Sequence, residues 1–506
     1  MLYVSPIVEA LRGRPRLVFW TATLTQAALW ALVPSLFYAS PPGDLPLVLA
    51  VGHEWPLGSP YGPPLAYWLA ELVFRLTFRS VAGLYVLAQA CVIVTFWAVF
   101  ALGRSSVGLS HAALAVLLMA GISVFAAPTP EFGPAVLAMP LTALALLHYW
   151  RAVGERSPRY WLTLGLVLGL LTLTTYFGAI LIGLMIVFTG AAERGRASLT
   201  TLYPYAAALI VAIMIAPHLS WLSAGRFGVL TASGYVGAVS GAIQWVKLVA
   251  GLLVDHAGLF VLVVVAGAFV AGRSAPVPVI EREPIDPLAK VFIYVFAVAP
   301  ALLATLTAGL RGQPDPVGGE SALVVLSGLA VIVAAGDGIR LYRQRAASWT
   351  WFALLVGPPL FAIVTIGALP WTVAMELKVN EPAAAMGRFF TESFNRRTGK
   401  PLAVVVGDAR LGGLVALASP QRPSLFIDAS PERAPWVSEA DIREKGAIVV
   451  WTLSDAAGTP PAHIRARFPD LVPEVPRAFE RPVQGRLPLL RIGWAMIRPQ
   501  ASARAQ

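Results

Sequence analysis

The chain has 506 residues, of which 57% are hydrophobic and 13% charged, and carries a net charge of +11; its mean hydropathy is +0.71. Soluble domains carry about 25% charged residues, so a wholly soluble protein is excluded, and the basic excess is read as loop charge that orients membrane spans, with no nucleic acid as partner. The single cysteine, Cys91, falls in a predicted span, which leaves neither a disulfide nor a cysteine metal cluster to build.

In chain order, the amphiphilic start MLYVSPIVEALRGRPR leads into a full-length span that serves as its own targeting signal, and no cleavable signal is expected. A membrane helix needs roughly 20 mostly apolar residues. Such stretches predict spans at 17–38, 83–103, 110–127, 133–150, 160–175, 177–192, 203–222, 255–271, 289–309, 321–338 and 350–373. The count is thus about eleven, with one tilted helix as the rival reading of the short pair that meets at Tyr176.

Two further segments read as helices lying along the membrane surface. PPLAYWLAELVFRLTFRS sets Leu65, Leu69, Leu72, Phe74, Leu76 and Trp68 among Glu71, Arg75 and Arg79, with Pro63 and Pro64 suited to a helix start; GAIQWVKLVAGLLV at 241–254 is the second. Beyond residue 373 charge and proline return. There KPLAVVVGD, PSLFIDAS and GAIVVWTL read as strands and SEADIREKG as a short capped helix. The GDARLGG turn lacks the G-x-G-x-x-G spacing, so nucleotide binding is not expected.

The predicted fold class is therefore a polytopic α-helical membrane protein with a C-terminal soluble α/β domain. Residues 1–373 form the membrane part, including an outer loop at 39–82 with its interfacial helix, and 374–506 form the soluble domain.

Alternate loops differ in charge. Arg12, Arg14, Arg16, Arg104, Arg151, Arg156, Arg159, Arg194, Arg196, Arg273, Arg282, Lys290, Arg340, Arg343 and Arg345 fall on one side, against Arg75, Arg79, Arg226, Lys247 and Arg311 on the other. By the positive-inside rule the first set is cytoplasmic. The 39–82 loop and the tail then face outward, which in a bacterial inner membrane is the periplasm.

Acids are few in the outward loops. Asp44 follows the first span and Glu131 lies in the short loop PTPEFGP, both expected at the outer interface. A carboxylate there costs desolvation energy unless it is solvated, paired or metal-bound. Taken together the two point to chemistry, although either one alone is equally an ordinary hydrated loop acid or helix cap. No His/Asp/Glu spacing demands a metal, and a divalent cation stays open as a cofactor.

At this point the sequence resembles a known family. An acid after the first span, then Pro63-Pro64-Leu65 nineteen positions later and an aromatic-rich amphipathic helix, is similar to the first outer loop of the GT-C glycosyltransferases of the protein mannosyltransferase and lipid A aminoarabinose transferase type. Glu131, the hairpin YWLTLGLVLGLLTLTTYFGAIL, APHLSWL before Arg226, and the tail stretch SPQRPSLFIDASPERAPWVSEADIREKGAIVVW extend the resemblance.

It implies inverting transfer of a sugar from a polyprenyl-phosphate donor to a lipid or glycan acceptor. Asp44 would be the base or acceptor-positioning group and Glu131 the assisting acid. Arg226, Lys247, Tyr176 and His218 would contact the lipid phosphate, and His53, Glu54 and Tyr61 would contact substrate from within the loop. The chain departs from the family pattern at Leu45, where a second acid is common, at Gly62, where Lys or His is common, and at Thr175, where Lys is frequent. Two other readings follow from the residues. A transporter or lipid flippase would show repeated halves and mid-membrane charge, whereas here Asp255, His256 and Asp337 sit at span ends. An assembly factor would use the outer domain to hold a partner.

Overall fold

In the computed structural model, residues 6–126, 131–224, 234–267, 279–453 and 458–500 are described. The chain forms two compact units, one of residues 1–32 and 85–360, the other of 33–84 and 361–506. The loop 39–82 thus packs with the tail, a grouping that differs from a division at residue 373.

The first unit is helical apart from one two-stranded sheet. Seven helices of the described chain are long and apolar enough to cross a membrane: Pro15–Phe37, Ala82–Ser106, Pro134–Val153, Tyr203–Ser223, Ala238–Asp255, Pro287–Leu310 and Gln344–Thr372. Shorter apolar helices cover Leu109–Met119, Tyr160–Thr172, Phe177–Ala191 and Ala257–Ala266. Each expected span coincides with helix, and the pair around Tyr176 is two helices. Two expected spans are broken. The stretch 110–127 becomes Leu109–Met119 and Ser123–Ala126, with Gly121 in the gap so close to the neighbouring backbone that a Cβ there would lie 2.7 Å from Leu259 N. The stretch 321–338 becomes Glu320–Leu323 and Ser327–Ala334. The surface segment 241–254 lies within Ala238–Asp255, which has the length to cross.

Loops that share the basic set touch one another. Strands β1 (Val279–Glu281) and β2 (Gly338–Arg340) pair antiparallel although the chain between them is long. Arg12 Nη2 donates to Val279 O at 2.5 Å. Arg194 Nη1 donates to Gly154 O at 3.0 Å and to Asp286 Oδ2 at 2.6 Å. These contacts gather five of the basic segments, around residues 12, 154, 194, 279–286 and 338–340, at one end of the helices. Segments at the other helix ends of this unit also meet: Ser123 Oγ donates to Asp255 Oδ1, Ser321 Oγ to Ala135 O at 3.3 Å and Gln244 Nε2 to Gln313 O at 2.8 Å.

The second unit is built on a five-stranded sheet in the order β4 (Ser424–Ile427), β3 (Val404–Gly407), β5 (Ala447–Thr452), β7 (Leu490–Ile497), β6 (Arg477–Phe479). β3 lies parallel to β4 and β5, whereas β7 runs antiparallel to both β5 and β6. Val404, Val405 and Val406 of β3 and Ile448, Val449 and Val450 of β5 are all buried, so these strands read as continuous apolar runs because both faces are covered. The core includes Phe390 and Phe394 of helix Ala383–Thr398 and Leu414 and Val415 of helix Leu411–Ala418. Asp408 caps the latter, accepting from Arg410 N at 2.8 Å and Leu411 N at 2.6 Å. The expected capped helix is Glu439–Lys445, with a capping box between Ser438 and Asp441. Strands β6 and β7 complete the sheet and were not foreseen from the sequence.

Helices Leu45–His53 and Leu65–Leu76 belong to this unit and cross at Gly52, where an added Cβ would stand 2.4 Å from Tyr67 O. That backbone oxygen cannot give way. Gly52→Ala should therefore destabilise the unit by about 1–3 kcal/mol, the usual cost of overpacking, read as a lowered thermal-unfolding midpoint of the protein in detergent.

Candidate functional site

The loop that delivers Asp44 is stapled to the tail. Ala39 N and Ser40 N donate to Val379 O at 3.0 and 3.1 Å, and Ser40 Oγ donates to Lys378 O at 2.8 Å. Arg410 then closes the clamp: Nη1 donates to Gly43 O at 2.8 Å, and Nη2 donates to Pro41 O at 3.1 Å and pairs with Glu381 Oε2 at 2.5 Å. Gly43 has φ +45°, the left-handed turn that releases the chain into helix Leu45–His53. Asp44 caps that helix by backbone only; its carbonyl accepts from Val48 N at 2.9 Å, and its side chain does not cap and is exposed. The loop that carries this exposed carboxylate is thus pinned from several directions. Burial pushes the Glu381 carboxyl up, although Arg410 pulls it down.

At the other end of the same helix lies a buried ionic network. Glu71, on the face of Leu65–Leu76 turned toward the unit, has 2% side-chain exposure and pairs with Arg422 Nη2 at 2.8 Å and Arg75 Nε at 2.7 Å. His53 Nδ1 stands 3.5 Å from its Oε1. Arg422 also donates to Leu49 O at 3.3 Å and lies over the Phe74 ring at 4.9 Å. Burial opposes ionisation of Glu71, but His53, Arg75 and Arg422 outweigh it and hold the carboxyl below the usual range. Glu54, next in the chain, is pushed up by burial, with Ser424, His53 and Arg422 opposing. The amphipathic reading of this segment placed Glu71 with the polar face; the structure turns it inward, onto an arginine 351 residues away.

The remaining candidates divide between the units. Tyr61 sits in the second, packed against its core, and accepts at its carbonyl from Tyr67 Oη at 3.1 Å. In the first unit, Tyr176 Oη and His218 Nε2 are 3.4 Å apart, and the His218 ring stacks on Trp221 at 5.8 Å. Glu131 precedes helix Pro134–Val153, and Lys247 is exposed on Ala238–Asp255. Arg226 lies outside the described residues. Of the sequence candidates, the structure brings together His53 with Glu54 and Tyr176 with His218. Arg410, Glu381, Glu71 and Arg422 were missed, since each is defined by a partner distant in sequence. Among the described residues no group of three or more His, Cys, Asp or Glu side chains could hold a metal.

Residues 61–221 match the family model described as dolichyl-phosphate-mannose-protein mannosyltransferase. The structure is similar to the crystal structure of ArnT from Cupriavidus metallidurans in the apo state, with a TM-score of 0.59 at 13% identity over 96% of this chain and 99% of that one. The chain has the GT-C fold. The crystal structure of the same ArnT bound to undecaprenyl phosphate is similar to the same extent, with a TM-score of 0.57 at 12% identity, again over 96% and 99% of the two chains. No curated protein matches significantly in sequence. A GT-C chain at this identity keeps the helical scaffold and the sheet domain while its side chains have been almost wholly replaced.

Proposed function

We propose that the protein transfers a sugar from a polyprenyl-phosphate donor to a lipid or glycan acceptor at the outer face of a bacterial inner membrane. The observation that supports this most is the GT-C fold shared over 96% of the chain with an ArnT structure that holds undecaprenyl phosphate. In this reading Asp44 takes the proton of the acceptor hydroxyl while that oxygen attacks the anomeric carbon and the lipid phosphate leaves from the opposite face. The attack inverts the anomeric centre. Glu131 assists as the second carboxylate, and Tyr176, His218, Lys247 and Arg226 serve the leaving phosphate through hydrogen bonds and charge. His53, Glu54 and Tyr61 contact substrate from the outer loop, and the tail beyond residue 373 stands in the periplasm.

Asp44 is useful as a base only if its loop is held still, which is the part this reading gives to Arg410 as a positioning residue. Arg410→Ala should lower the turnover number by up to ~10²-fold, the scale of a misplacement of about 1 Å. Arg410→Lys, which keeps charge without the fork, should recover only part of the loss. The measurement is donor consumption by the protein in proteoliposomes containing a polyprenyl-phosphate sugar and a bacterial lipid extract, with released polyprenyl phosphate and glycosylated product both followed. Donor that crosses the bilayer with its sugar still attached would instead favour a flippase.

A further inference from the structure

The Glu71 network borders a cavity of about 290 Å³ lined by His53, Glu71, Phe74, Arg75, Arg79, Gln421 and Arg422. This is several times the ~30 Å³ share of one water molecule. Three guanidinium groups face one carboxylate, so these four side chains carry an excess of two positive charges. Arg75 gives Nε to Glu71, and Arg79 gives Nη1 to Pro420 O at 2.9 Å. The other guanidinium N–H groups of Arg75 and Arg79 have no protein acceptor among the described residues. Burial, together with the nearby charges of Arg79 and Arg75, pulls the Arg422 guanidinium below its ordinary range, against the opposing charge of Glu71.

The surroundings of this cavity are apolar and outward-turned. Phe78 and Arg79 both have positive φ, +55° and +64°, a conformation that costs a non-glycine residue of order 1–3 kcal/mol. The turn leaves Phe78 with 96% exposure while Arg79 is tethered at Pro420. Leu72 and Leu76, one helical turn apart, and Trp55 are exposed as well, and the Arg75 guanidinium lies over the Trp55 ring at 5.5 Å. Cations held at the tips of long stems beside exposed aromatic and aliphatic side chains are what a bilayer interface selects.

We propose that this cavity binds the phosphate of an anionic phospholipid headgroup, with Trp55, Leu72, Leu76 and Phe78 entering the adjoining acyl region. The site lies apart from Asp44, the proposed base, although it shares His53 with the outer-loop contacts to substrate. Asp44 precedes helix Leu45–His53 and the cavity begins at its last residue, so at 1.5 Å per residue roughly 13 Å separates them, too far for one phosphate to serve both. The headgroup would fix the 65–76 helix at the membrane surface and thereby the height of the whole outer loop.

The test uses the full chain in a neutral detergent and reads the thermal-unfolding midpoint as dihexanoyl-phosphatidylglycerol, dihexanoyl-phosphatidylcholine or inorganic phosphate is added. Phosphatidylglycerol should raise the midpoint saturably at concentrations where phosphatidylcholine does nothing. The double variant Arg75→Ala/Arg79→Ala should weaken that response roughly tenfold or more, as the loss of charge-assisted hydrogen bonds requires. Arg79→Glu alone, which leaves every contact of Glu71 in place, should do the same. Equal responses to phosphatidylglycerol and inorganic phosphate would make this a free-anion site and overturn the lipid assignment. A response to phosphatidylglycerol that survives in both variants, or none in the wild type, would overturn the site itself. None of the probes carries a sugar, so the outcome is independent of whether transfer occurs.

Discussion

Replacing Asp44 with asparagine should lower sugar transfer by roughly 10²–10⁴-fold, the contribution of a positioned general base. The substitution keeps the size of the side chain and the backbone cap on helix Leu45–His53, since Asp44 holds that helix through its carbonyl and not its carboxylate. The thermal-unfolding midpoint of the variant, measured alongside, separates a loss of chemistry from a folding defect. Asp44→Glu should retain more activity than Asp44→Asn because it keeps a base, though displaced by one methylene. Steady-state transfer with a fixed polyprenyl-phosphate donor separates the effects: a lost base lowers the turnover number, whereas a lost contact to bound acceptor raises its KM. A variant at residue 44 that turns over normally would remove the base from the scheme and leave the fold without its proposed chemistry.

The second large effect is structural. Glu71→Ala should destabilise the second unit by about 3–5 kcal/mol, because it strands a buried guanidinium. Arg422 is itself only 8% exposed, and its φ of +53° adds backbone strain that the pairing offsets. Arg422→Ala should cost about as much, by stranding the carboxylate instead. The two changes together should cost far less than the sum of the single changes, since the pair then leaves no uncompensated charge. Chemical denaturation of the three variants, followed by tryptophan fluorescence, closes the cycle; additive effects would mean that the contact contributes nothing of its own.

Acid gives an independent reading of the same pair. The folded-state carboxyl of Glu71 titrates below its unfolded value, so its stabilisation is complete above the ordinary carboxylate range and is lost as pH falls through the folded value. The stability advantage of wild type over Glu71→Gln should accordingly be greatest near neutrality and shrink below about pH 4.5, the ordinary carboxylate pKa. Unfolding midpoints of both proteins across that range are the measurement. Glu381 titrates in the opposite direction and is common to both proteins, so it drops out of the difference, whereas Glu54 is raised in part by the Glu71 charge and shifts with the substitution.

Much of the scaffold could be read from the chain because its signals are local. Apolar runs set the helices, Pro63 and Pro64 set the start at Leu65, and Ser438 with Asp441 set a helix cap, all within a few residues. The breaks near Gly121 and at Val324–Leu326 were hidden because hydropathy does not register where two backbones must touch. The sequence singles out Asp44 by its place after a span, but not what holds its loop, because Arg410 looks like any surface arginine until the loop it clamps is seen. Glu71 shows the same blindness more sharply. On a helical wheel it belongs with Arg75 and Arg79, and only the return of the tail turns that face inward.

The wide separation of the second unit's two segments has a consequence for how the protein is made. Glu71 leaves the ribosome 351 residues ahead of Arg422. At ~5–20 residues per second this is a wait of roughly 20–70 s. During that interval the helix pair has emerged with its inward acid unpaired and its glycine crossing uncovered, while helix after helix is made behind it. A late stretch of chain thus locks an early one, and a nascent protein halted before residue 422 would present quality-control proteases with an unfinished unit.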